Sequence, residues 1–207
     1  MRAARSQVAC IKRKQMAPKP NEIEVSRCLS AWYRLTNHVK RESSLEKLFR
    51  RTYSLNSDID DVLIKVCALN DFYGSDIFSR FSVADHIVAL GIDDRLQAKD
   101  LLLVHEIASV QMVKGITQDL YSFASKYCSH HFPAEYPIYD YYAERLLLYF
   151  QTADSFSNFA KGDLKDYSKY RHILLDFQAY YGLGAFNLKQ IDKYFWQTSR
   201  EYFYNKF

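Results

Sequence analysis

The chain has 207 residues, a net charge of +4, 48% hydrophobic and 16% aromatic residues, with 17 Tyr and 14 Phe but only 6 Gly and 4 Pro. That is enough apolar matter for one substantial core, and too few turn formers for an all-β fold. Residues 1–20 hold six basic residues and no acid, so +6 of the charge lies in the tail and the rest of the chain stands at −2. The basic balance therefore describes a tail expected to be disordered, not the folded body.

No apolar run reaches the length of a membrane span, and the N-terminus lacks the apolar stretch of a signal peptide. An intracellular protein with no membrane partner is expected. Cys10, Cys28, Cys67 and Cys128 are scattered without a Cys-x-x-Cys pair, so neither a zinc ribbon nor an iron–sulphur loop is expected. Cys67 and Cys128 fall in apolar helical patterns and read as small core residues.

The expected fold class is all-α: a single domain of eight to ten helices over residues 21–207. Asn21 is a candidate N-cap, with Glu22 and Glu24 favouring the helix start and Leu29, Trp32, Tyr33 and Leu35 on the apolar face. Ser43-Ser44-Leu45-Glu46 reads as a capping box before a short helix. Ser57 and Asp58 open a helix whose apolar residues, Ile59 to Phe72, recur with helical period up to Gly74; this one is expected to be central. Ser75-Asp76 then caps a helix with Phe78, Phe81, Val83 and Ile87 inward, closed by Gly91. One or two helices follow over 93–110. Gly115 marks a turn, and Thr117 caps a helix running to about His130. Two prolines, Pro133 and Pro137, hold the next connection extended. A helix over about 138–150 comes after it, then helices near 153–160, 165–182 and 187–200, the last capped by Asn187.

Chemistry concentrates in residues 121–146. Lys126 lies on one helix, and Asp140, 14 positions on, opens the next. A carboxylate at a helix start is favoured as the anion, which suits it to stabilising positive charge in a transition state. A lysine there becomes a nucleophile only if burial or a cationic neighbour depresses its pKa; otherwise it is a solvated charge. His130 and His131 are adjacent, so their side chains point about 100° apart and chelate a metal poorly. Tyr127, Tyr139 and Tyr141 are candidates either for the core or for stacking on a base. Asn70 and Tyr73, at the end of the central helix, are candidate lining residues. No phosphate loop, nucleophile elbow or zinc-protease motif occurs.

Ser122-Phe123-Ala124-Ser125-Lys126 and Tyr139-Asp140 together resemble the helix-hairpin-helix DNA glycosylase superfamily, in particular its 8-oxoguanine glycosylase-like branch. There a Gly-x-Gly-x-Lys hairpin precedes a helix and an apolar-Asp pair opens a later one. In this chain Ser122 and Ala124 replace the two glycines. The resemblance implies a DNA N-glycosylase in which Asp140 stabilises an oxocarbenium-like sugar and Lys126 attacks it, forming a Schiff base that permits strand cleavage. Double-stranded DNA with an extruded base is the implied partner. Ser122, Ala124, Ser125, Tyr127, His130, His131, Tyr139 and Tyr141 are the implied substrate contacts, with neither metal nor cofactor. The alternatives are a non-catalytic DNA- or nucleotide-binding module of the same fold, and a helical protein-interaction domain.

Overall fold

A computed structural model describes residues 16–111 and 117–203. The expectations on the basic residues before Met16, on Cys10 and on the Gly115 turn lie outside the described residues. Ten α-helices and one two-stranded antiparallel ribbon make up the described chain: α1 (Glu22–Tyr33), α2 (Thr36–Lys47), α3 (Ile59–Tyr73), α4 (Arg80–Leu90), α5 (Asp93–Gln97), α6 (Leu103–Ala108), β1 (Ser109–Gln111), β2 (Thr117–Asp119), α7 (Tyr121–His131), α8 (Tyr141–Asp154), α9 (Tyr167–Tyr180) and α10 (Leu188–Phe203). The all-α class expected from the sequence is the class observed. One contiguous apolar cluster draws on every helix and reaches back to Ala17, so packing begins before Asn21.

Several boundaries follow from local chemistry as expected. Asn21 caps α1 by accepting the Glu24 amide at 2.9 Å, and Asn187 accepts the Gln190 amide at 2.9 Å ahead of α10. Gly74 and Gly91 end α3 and α4 with φ of +60° and +57°, the left-handed geometry glycine tolerates best.

Others differ. Ser43 and Ser44 lie inside α2 and donate to the Lys40 carbonyl, so they do not start a helix there. A π-helical turn over Leu48–Thr52 extends α2 and buries Phe49. Asp58, and not Ser57, caps α3, accepting the Asp60 and Asp61 amides. Ser79 caps α4, accepting the Ser82 amide at 3.3 Å. Phe78 and Phe81, expected inward, point to solvent instead, 87% and 60% exposed, because α4 starts only at Arg80. Thr117 belongs to β2, because Ser109–Gln111 pairs with Thr117–Asp119 and delays α7 to Tyr121. No separate α-helix covers 153–160; α8 runs to Asp154, Ser155 caps it in left-handed geometry, and a 3-10 turn covers Lys161–Lys165. Cys67 is exposed, on the outer face of α3, while Cys128 is buried.

The enclosed helix is α7 rather than α3, which keeps an exposed face. Every α7 residue except Ser122 is buried. Its polar groups must therefore find partners inside the protein. Tyr127 donates to Asn56 Oδ1 at 2.6 Å, and His131 Nε2 donates to the same oxygen at 3.2 Å. Lys65, fully buried on α3, brings a third donor to it at 2.6 Å and reaches the Tyr53 and Leu55 carbonyls. Asp93 holds Asn56 in turn, through its amide and its Nδ2.

Removing this hub orphans several donors at once. Asn56→Ala is expected to lower stability by about 3 kcal/mol in urea unfolding, because each buried unsatisfied group costs on the order of 1–3 kcal/mol. A loss below about 0.5 kcal/mol, the level of an ordinary surface substitution, would show that the network carries no stability.

Candidate active site

A cavity of about 390 Å³ opens between α1, α2, the end of α3, α7, the start of α8 and α10. That volume lies in the ordinary range for small-molecule sites, roughly 300–1,000 Å³. Lys126, Asp140 and Ser122 all line it, together with Tyr73, Tyr141, Tyr142, Lys189, Asp192 and the ring pair Trp32 and Trp196.

Lys126 reaches the cavity from the enclosed helix and is only 7% exposed. Its Nζ donates to Ser122 Oγ, one turn earlier, at 2.9 Å and lies 4.8 Å from the centre of the Tyr73 ring. Burial pulls its pKa down, opposed chiefly by the charge of Asp140 and then by Asp192. A lysine whose ammonium is poorly solvated is the kind that can act as a free amine.

Asp140 arrives by a different route. The connection from Phe132 to Tyr139, expected to be extended throughout, opens instead in a turn in which the Glu135 and Tyr136 amides donate to the Phe132 carbonyl; from Pro137 on it has no local bonds, so the carbonyls there need outside donors. The Tyr167 hydroxyl donates to the Pro137 carbonyl at 2.7 Å and the Tyr170 hydroxyl to the Ile138 carbonyl at 2.5 Å. Ser125 Oγ accepts the Tyr139 amide at 3.0 Å, tying the same segment to α7. Asp140 then caps α8, accepting the Ala143 amide at 2.9 Å. Burial raises its pKa, while Lys126 and the helix-start amides pull it down, so ammonium and carboxylate are each other's main electrostatic support.

The remaining residues implied by the resemblance divide. Ser122–Lys126 form no hairpin; they are helical, within α7. Ser122 and Tyr141 line the cavity. Ala124 and Tyr127 are fully buried in the core and Ser125 is spent on the Tyr139 backbone. Tyr139 packs between Tyr121 and Tyr170, with its hydroxyl on Glu144. His130 and His131 do diverge: His130 Nε2 meets the Tyr73 hydroxyl at 3.1 Å, while His131 turns to Asn56. Burial holds both imidazoles neutral, His131 down at about 3. Tyr73 lines the cavity as expected; Asn70 instead accepts the Ile77 amide at 3.0 Å.

Sequence reasoning missed the opposite wall. Lys189, Asp192 and Trp196 are spaced three and four apart, one stripe of α10. Trp196 meets Trp32 edge-on at 5.0 Å and His38 at 4.8 Å. Trp32 Nε1 is buried without an acceptor among the described residues. A wall of aromatic rings suits a planar heterocycle. Guanidinium groups flank it: Arg41 lines the cavity, and Arg145 and Arg200 stack on Tyr141 and Trp196.

The lowered pKa of Lys126 has a direct readout. After reductive ¹³C-methylation, the Lys126 resonance, assigned with Lys126→Met, is expected to titrate below the surface lysines in an NMR pH series. Titration together with them would remove the case for a free amine.

The family model HI_0787_N, described as an N-terminal domain, matches residues 24–135, a span that includes Lys126 and ends before Asp140. The chain is 43% identical over 146 residues to an uncharacterised protein of Haemophilus influenzae, covering 70% of this chain and 69% of that protein. No solved structure matches. Among the described residues no helix is long and apolar enough to cross a membrane, and no three His, Cys, Asp or Glu residues gather as metal ligands do. The cavity with Lys126 in its wall thus sits in a chain that belongs to the HI_0787_N family.

Proposed function

We propose that this protein is a DNA N-glycosylase that removes a damaged or modified base, with Lys126 as nucleophile and Asp140 as the fixed anion. One observation carries the reading: a desolvated lysine and a helix-capping aspartate, 14 positions apart in sequence, line one cavity. The aromatic wall supports it, because an extruded base needs a stacking surface. The flanking arginines support it as donors to phosphate.

As the C1′–N bond lengthens, its electron pair moves to the base and positive charge spreads over C1′ and the ring oxygen. The Asp140 carboxylate stabilises that charge without reorganising, since the Ala143 amide already holds it. The uncharged Nζ of Lys126 donates its lone pair to C1′, forming a C–N bond and then losing a proton. The C1′–O4′ bond then breaks, the ring oxygen taking up a proton as the nitrogen lone pair forms the Schiff base, and loss of a C2′ proton to solvent expels the 3′-phosphate by elimination. Lys126→Gln keeps the polarity but cannot form the imine.

Borohydride is expected to trap a covalent adduct between the protein and at least one duplex of a lesion and modified-base panel, and Lys126→Gln to abolish it. Asp140→Asn is expected to keep its helix, since an asparagine also caps. Its base excision should fall roughly 10²–10³-fold. Excision without an adduct would leave Asp140 with activated water and remove Lys126 as nucleophile. A protein that binds the duplexes yet produces no alkali-labile sites would be the non-catalytic module. Full excision by Asp140→Asn would overturn the residue assignment.

A further inference from the structure

Asp192 is a second carboxyl in the same cavity, and its surroundings differ from those of Asp140. Asp140 stands at a helix start and accepts a free amide. Asp192 lies inside α10, past the first turn, where the helix leaves no free amide to hold an anion. Lys189 Nζ is 3.8 Å away and divides itself between Asp192 and Glu42, the latter at 3.9 Å. Lys193, further along α10, is spent on Glu42 at 2.8 Å.

Other ionisable groups face Asp192 across the cavity from every neighbouring element. α2 contributes His38, Arg41 and Glu42; α3 ends in Tyr73; α7 brings Lys126; and Asp140, the cap of α8, comes with Tyr141 and Tyr142 of its first turn. Burial is the largest influence on Asp192. With repulsion from Asp140 and Glu42 it outweighs the pull of Lys189 and Lys126 and pushes the carboxyl up to about 6. Two carboxyls in one desolvated space do not ionise independently, and the one without amide support keeps the proton.

We infer that Asp192 is the general acid for the departing base, a role that rests on the glycosylase reading above. As the C1′–N bond breaks and its electron pair goes to the base, the Asp192 carboxyl gives its proton to a ring nitrogen or carbonyl oxygen of that base. Asp192 is left as the carboxylate, and solvent returns the proton once the base has gone. The group it serves is a neutral heterocycle with a basic atom facing α10.

The test is the pH profile of single-turnover excision on the panel duplex that the wild type cuts fastest. Lys126 works unprotonated and Asp192 protonated, so the wild-type profile has an ascending and a descending break. Asp192→Asn is expected to be slower by about 10²–10⁴-fold and to keep only the ascending break. Asp192→Glu, which restores a carboxyl, should bring the descending limb back and shift one of the two breaks, and it decides the matter if the asparagine variant misfolds. An Asp192→Glu profile with both breaks where the wild type has them, or wild-type rates and both breaks in Asp192→Asn, would overturn the acid role and leave the glycosylase reading standing. A wild type that excises from no duplex of the panel would overturn both.

Discussion

The structure depends on α7 having no solvent face. Ten of its eleven residues are buried, among them Ser125, Lys126, Tyr127, Ser129, His130 and His131. A buried polar group without a partner costs on the order of 1–3 kcal/mol, so such a helix is tolerable only if its surroundings are built to receive it. Asn56 takes Tyr127 and His131, Tyr73 takes His130, and Ser125 clasps the backbone at Tyr139. Those contacts fix the registration of α3, of the loop before it and of the connection to α8 against one helix. Lys126 is the exception, since beyond Ser122 its charge faces a cavity.

That exception sets the chemistry. Within one desolvated space the protein gathers an amine, a capped carboxylate and an uncapped carboxyl, and burial moves all three away from their solution values. Burial pulls the lysine down and pushes the acids up, which narrows the gap between donor and acceptor strengths and brings proton transfer within reach near neutral pH. The helix-start amides then separate the two acids.

The abundant tyrosines serve this arrangement more than they serve stacking. Buried rings supply apolar area, and several of their hydroxyls end on main-chain carbonyls that no helix or strand satisfies. Tyr121 reaches Leu164, Tyr167 reaches Pro137 and Tyr170 reaches Ile138. Phenylalanine would fill the same space and leave those carbonyls dry. The proline-bearing segment before Asp140 is thereby held as firmly as a helix, though it has no regular hydrogen bonding of its own.

By itself the sequence determined what depends on neighbours within one turn. Asn21, Asn187, Gly74 and Gly91 place helix ends through local hydrogen bonds and backbone sterics, and the helical recurrence of apolar residues sets the all-α class. It also set Lys126 and Asp140 at the two ends of a proline-stiffened connection. Where a local pattern admitted two readings, packing chose between them. Ser43 and Ser44 became interior helix residues because α2 runs through them, and Thr117 became a strand residue because Ser109–Gln111 lay beside it. Only the tertiary structure made α7 the buried helix, since Ser, Lys and His in its sequence read as a wet face. Only the tertiary structure brought in Asp192 and Trp196, which stand more than fifty positions from Asp140 and carry no motif. Burial, charge repulsion and the sharing of one cavity depend on distance in space, and a stripe of α10 acquires chemical meaning only when it is packed against the ends of α7 and α8.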